Sequence, residues 1–162
     1  MKTLQRCLDY LERNHIVYSH SIHTPAYTAR DIASAERMPV HDVAKLVVYS
    51  GDNGYGIVML AGDCVVDFAE VRRLMGLKHV RLATEAELAE LFPDSELGAM
   101  PPLANNAEMP ILVDEGVASK EFFAFNAGTH RDVIHMSFAD FRRLVNPLIA
   151  DFGIKEPVLS TI

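Results

Sequence analysis

The chain has 162 residues, of which 49% are hydrophobic and 23% charged, enough apolar material to bury a real core in one domain spanning 1–162. Its formal charge of -7 is uneven, because Leu82 to Glu121 carries nine acids against one lysine, and this excludes a basic face built to wrap a phosphate backbone. Cys7 and Cys64, far apart and without CxxC or Cys-His spacing, argue against a zinc knuckle or a disulfide framework and point to a reducing, cytoplasmic setting. No apolar run approaches the roughly 20 residues that cross a bilayer.

Leu4, Cys7, Leu8 and Leu11 recur at helical spacing, so the chain is expected to open with a surface helix ending near Asn14. A short strand is expected over Ile16 to Ser19. Thr28 with Asp31 three residues on predicts a helix start, and Pro39 closes that segment. "AKLVVYS" and "YGIVMLAG" flank "GDNG", which predicts an antiparallel hairpin over Ala44 to Ala61. Asp67 caps a short helix through Met75, "HVRLA" reads as a strand, and Thr84 with Glu87 forms a capping box before a helix to Phe92. "PILVD", "FFAFNAG" and "DVIHMS" read as strands, and Ser137 with Asp140 opens a final helix. Strands and helices mix without regular β-α-β alternation, so the expected fold class is α+β, with a mixed central sheet and peripheral helices.

Lys45 interrupts an apolar strand, on the face shared by Val43, Val47 and Tyr49. At a cleft its ammonium holds a phosphate or a carboxylate; on an edge strand it discourages aggregation. His130 sits in the "NAGTHRD" turn, where it either reaches a ligand or caps the turn. In "GAMPP", Pro101 and Pro102 fix two φ angles while Gly98 is free to take conformations closed to other residues. Such a loop is a plain connection or a rigid rim for something small. His20 and His23 lack a third ligand, so no metal is expected, nor any cofactor. No GxSxG, Walker or Rossmann pattern occurs, and Ser50, Ser95, Ser119 and Ser137 lie where hydroxyls serve as caps. Nucleophilic catalysis has no support.

Lysine, glycine-proline loop and histidine turn, in this order, resemble the YbaK and prolyl-tRNA-synthetase-associated (INS-like) editing-domain family. The likeness runs from about His20 to Pro147 and rests on "TARDIA", "VAKLVV", "GAMPP", "ILVDE" and "FNAGTHRDVIHMSFADFRRLV". It implies a metal-independent trans-editing enzyme that hydrolyses the ester between a wrong amino acid and the 3′ end of a tRNA, and a rigid glycine-proline rim adds the expectation that this amino acid is small. The implied partners are that acceptor end and an aminoacyl-tRNA synthetase, with no membrane. By position, Lys45, Gly98 and His130 resemble the family's catalytic positions. Lys45, Ala99, Met100, Pro101, Pro102, Gly128 and Thr129 resemble its substrate-binding ones. Two places depart from the pattern: Leu46, where many relatives carry a small polar residue, and Leu103 to Met109, which replaces a glycine- and aromatic-containing segment. Both bear on amino-acid specificity. Two other readings stand beside the deacylase: a binding module without turnover, and a hydrolase of another small ester.

Overall fold

The computed structural model describes residues 2–105 and 108–157. Helix α1 (Thr3–Arg13) is laid down by its apolar stripe, with Cys7 and Leu11 fully buried. It is closed by His15 at φ 55, and the Ile16 N–H reaches back to the Leu11 carbonyl at 3.0 Å. This helix-ending turn buries Ile16 and takes the first residues of the strand expected at 16–19. Strand β1 therefore runs over Tyr18–Ile22 instead.

Helix α2 (Ala29–Glu36) starts where expected, its Thr28 hydroxyl accepting from the Asp31 N–H at 3.1 Å. A single turn of tighter helix, Val40–Asp42, leads into β2 (Ala44–Gly51). Strand β3 (Gly54–Ala61) returns across the Asp52-Asn53 turn in full antiparallel register, with Lys45 opposite Leu60. Then follow β4 (Cys64–Val66), α3 (Phe68–Met75), β5 (Val80–Leu82) and α4 (Glu85–Leu91), both helices capped as expected by Asp67 and by the Thr84–Glu87 box. Beyond the glycine-proline loop come β6 (Ile111–Asp114), α5 (Glu115–Ala118), β7 (Phe122–Asn126), β8 (Asp132–Ser137) and α6 (Phe138–Val145), which Ser137 caps. Strands β9 (Leu148–Ala150) and β10 (Gly153–Lys155) follow.

The central sheet has the order β5-β2-β3-β6-β9, antiparallel at β5-β2-β3 and parallel at β3-β6-β9, so the fold is α+β with a mixed sheet. A three-stranded sheet, β1-β8-β7, joins it through a parallel bridge between Val43 and Ala124. Strands β4 and β10 pair separately. The core fills the space between these layers, with the Phe123 ring in contact with Phe125, Phe138 and Phe141 at 5.3–5.9 Å and Phe138 with Phe141 at 5.8 Å. The Asp114 carboxylate accepts the N–H groups of Gly116 at 3.0 Å, Phe152 at 2.8 Å and Gly153 at 2.7 Å. One buried acid thus ties the C-terminal strand to the sheet, and with it the residue that follows, Glu156.

Candidate active site

A cleft of about 440 Å³ opens between the start of α2, the open end of the β2–β3 hairpin and the glycine-proline loop. Two glycines shape it. At Gly62 a Cβ would lie 2.7 Å from both the Ala29 Cβ and the Val40 carbonyl oxygen, so only glycine lets α2 come this near the hairpin end that carries Lys45. At Gly98 the backbone takes φ +83, a conformation L side chains rarely adopt, although an added Cβ would meet only His130 Cε1, at 3.5 Å. Glycine is needed there for its backbone angle, which turns the loop toward the cleft.

Lys45, Leu46, Gly98, Met100 and Pro102 line this cleft together, over a floor that includes Met59 and Phe125. Strand β2 pairs with β3 along its whole length and with β5 over Tyr49–Gly51, and Lys45 lies at the end of β2 that opens on the cleft. Its ammonium, on a side chain 31% exposed, sits 3.9 Å from a Glu156 oxygen, and the second oxygen of that carboxylate lies 3.7 Å from Arg30 Nη2. Leu46 puts an apolar side chain on the wall where the family pattern has a small polar one. In the other departing segment Asn105 donates to the Pro101 carbonyl at 2.9 Å, while Asn106 and Ala107 lie outside the described residues.

The remaining predicted residues take a different position. Ala99 and Pro101 are buried within the loop and outside the lining. Gly128, Thr129 and His130 stand behind the loop and brace it. The Gly128 N–H donates to the Ala99 carbonyl at 2.8 Å and its carbonyl accepts from Glu96 N–H at 2.9 Å. His130 receives support from the Glu96 carboxylate at its own N–H, 2.8 Å, and its Nε2 lies 2.7 Å from the Leu97 carbonyl. A carbonyl only accepts, so Nε2 carries the proton, and in the neutral ring Nδ1 is the bare nitrogen. That Nδ1 is shielded from solvent and has no hydrogen-bond partner among the described residues. The ring packs at a 45° tilt against Tyr27, with centroids 4.6 Å apart. Thr129 donates to Asp132 at 2.5 Å and accepts from the N–H groups of Arg131 and Asp132, so its hydroxyl is spent on the turn.

No thiol near the cleft serves as a nucleophile. Burial, and then the Asp63 charge, pushes Cys64 up to about 11, while burial lifts Cys7 to about 12; both are protonated at neutral pH. Burial alone would raise Asp63, but the His41 bond at 2.8 Å and its charge outweigh it and hold the carboxyl below its ordinary value. The Asp63 carbonyl accepts the Glu156 N–H at 2.8 Å. His20 is engaged by Asp132 at 2.6 Å and His23 by the Thr24 carbonyl at 2.5 Å. Among the described residues no three His, Cys, Asp or Glu side chains group to hold a metal ion.

Arg30, Asn126 and Glu156 also line the cleft and were not singled out from the sequence. Arg30 was within reach, since it follows the Thr28 cap by two residues and so had to sit in the first turn of α2. Glu156 carried no local signal, because only the β10–β4 pairing brings it to the cleft.

The aminoacyl-tRNA editing domain model matches residues 23–144, and the chain belongs to that family. Its relatives include the proline–tRNA ligase of Bacillus pumilus (strain SAFR-032), 29% identical over 132 residues, 75% of this chain and 23% of the ligase. The ligase of Thiobacillus denitrificans (strain ATCC 25259 / T1) is 28% identical over 134 residues, 80% of this chain and 23% of the ligase. The chain therefore spans under a quarter of the length of these relatives. Among solved structures, one described as a candidate trans-editing enzyme for prolyl tRNA synthetase superposes with a TM-score of 0.83 at 24% identity, covering 97% of this chain and 99% of its own. A hypothetical protein superposes at 0.85 with 18% identity, over 92% and 99%. These two share the fold. Among the described residues no helix is long and apolar enough to cross a membrane.

Proposed function

We propose that the chain is a cytoplasmic aminoacyl-tRNA deacylase, acting in trans to hydrolyse the ester between a small, wrongly attached amino acid and the 3′ end of a tRNA. The observation that carries this reading is the meeting of Lys45 with the Gly98–Pro102 loop across one cleft, in a chain of the editing-domain family. Lys45 anchors the phosphate of the terminal adenosine, a charge-assisted contact. The loop, held from behind by Gly128 and His130, presents its peptide groups to the ester carbonyl. Water adds to that carbonyl, the loop N–H groups stabilise the developing oxyanion, and the intermediate collapses to free amino acid and the ribose 3′-hydroxyl. The substrate's own 2′-hydroxyl orients the water, and no metal takes part. His130 positions the loop.

Size selection follows from the same rim. A cleft of about 440 Å³ walled by Pro102 and Leu46 rejects a bulky side chain by clash, whereas an undersized one loses only about 1–3 kcal/mol per missing methylene. The nine acids between Leu82 and Glu121 keep contact local to the acceptor end, and a prolyl-tRNA synthetase is the natural partner. The test is a panel of tRNAs carrying alanine, serine, proline and phenylalanine, offered to wild type and Lys45→Ala. Wild type is expected to release the small amino acids, and the variant to lose about 10²–10³-fold in rate with an unchanged unfolding temperature. Normal turnover by folded Lys45→Ala would sink the assignment. Protection of every ester by wild type would make the protein a binding module, and hydrolysis of tRNA-free esters alone would make it another esterase.

A further inference from the structure

Among the described residues the cleft lining contains one acid. Glu156 follows β10, its N–H anchored on the Asp63 carbonyl at 2.8 Å, and its carboxylate lies between Lys45 Nζ at 3.9 Å and Arg30 Nη2 at 3.7 Å. Both spacings are ion-pair contacts, longer than a charge-assisted hydrogen bond. The side chain remains 37% exposed, so the carboxylate keeps lone pairs free for a donor that enters the cleft. The wall thus presents a row of plus, minus and plus.

Such a row discriminates between ligands. A purely anionic ligand gains Lys45 and Arg30 but is repelled by Glu156; a purely cationic one meets the reverse. A ligand with both an anionic and a cationic group satisfies all three, and it easily displaces the two partly exposed ion pairs, because such pairs are weak. On the deacylase reading, the 3′-aminoacyl ester of a terminal adenosine is a ligand of this kind, with a phosphate at one end and an α-ammonium at the other. We propose that Glu156 accepts the substrate's α-ammonium while Lys45 and Arg30 take the phosphate, so that the site selects esters with a free amino group. N-acylation removes the positive charge and leaves Glu156 facing a neutral amide with its two cations already engaged. N-acylated and peptidyl esters are then rejected by an element that works against them rather than by lack of room.

Two stable probes test this apart from turnover: 3′-alanylamino-3′-deoxyadenosine 5′-phosphate and its N-acetyl counterpart, titrated calorimetrically into wild type and Glu156→Gln. Wild type is expected to bind the free-amine probe about tenfold more tightly, the effect of one charge-assisted contact at a half-open site. Glu156→Gln should bring the ratio to about one by weakening the free-amine probe alone. The fold should survive, since β10 is held through its backbone and through Asp114. An unchanged ratio in the variant overturns the inference, as does failure of wild type to bind either probe. Equal tightening of both probes overturns it too, because the carboxylate would then merely block the two cations. Discrimination between the probes without hydrolysis of alanyl-tRNA would remove the deacylase reading and leave this one standing. Hydrolysis without discrimination would do the opposite.

Discussion

Asp114 and Glu156 flank the same short C-terminal ribbon, and the protein treats the two carboxylates in opposite ways. Asp114 is 4% exposed and accepts three backbone N–H groups at 2.7–3.0 Å. Glu156 stands half-open, with two side-chain cations at 3.7 and 3.9 Å. The first has its lone pairs filled by backbone and so fixes where strands meet; the second is held in place by its own N–H and leaves its carboxylate to exchange partners. An acid saturated by the chain serves the fold, and one left under-bonded at a cleft serves a ligand.

The largest expected effect lies on the saturated side. Asp114→Ala leaves three N–H groups without an acceptor and should cost about 3 kcal/mol or more in urea unfolding. Lys45→Ala should shift stability by less than about 0.5 kcal/mol, as expected for a half-exposed surface charge. Equal costs for the two substitutions would erase the distinction between the regions.

Next comes the rim. Gly98→Val forces a branched side chain onto φ +83, with its Cβ 3.5 Å from the His130 ring that braces the loop, a backbone penalty of about 1–2 kcal/mol that shifts the rim. Hydrolysis of alanyl and seryl esters should disappear while thermal unfolding remains cooperative. A folded variant that still cleaves them would make the loop a plain connection.

His130→Ala removes the bond to the Leu97 carbonyl but leaves the backbone bond to Glu96. About a tenfold loss in kcat/KM is expected, worth about 1.4 kcal/mol, with the pH–rate profile unmoved. Complete loss with a displaced profile would turn His130 from a positioning residue into an acid or base.

The smallest effect concerns Glu87, far from the cleft. Arg81 first, then Tyr55 and the Thr84 N–H, hold its carboxyl well below the usual carboxylate range. Its folded value lies below its unfolded one of about 4.3, so the stabilisation is complete above that pH and fades as pH falls toward the folded value. The unfolding-temperature gap between wild type and Glu87→Gln should be constant from pH 7 to about 5 and narrow by pH 3. A gap that does not narrow would break this account.

What could be read from the sequence was what short-range chemistry dictates. Each of the caps at Thr28, Asp67, Thr84 and Ser137 joins a side chain to an N–H three residues on, and the hairpin is set by its own turn. Strands β4, β9 and β10 escaped, because they exist only through distant partners, whereas β5, equally short, sits within the strand-like run His79 to Ala83. The site divides along the same line. Lys45, Gly98 and Pro102 stand out by residue type and by their order along the chain. Whether the Gly128–His130 turn faces the cleft or the loop behind it depends on a register between segments about 30 residues apart, which no local pattern encodes.

The walls of the cleft come from residues 27–30, 43–46, 98–102, 125–126 and 156, almost the whole span of the chain. Contacts between segments so far apart in sequence carry the heaviest loop-closure entropy and are expected late in folding, whereas the β2–β3 hairpin closes locally. A nascent or half-folded chain then already displays Lys45 but has no vessel around it. On the proposed reading, competence to cut an ester arrives all at once, with the finished tertiary structure, and a chain interrupted before residue 156 should lack the acid that chooses a free amino group.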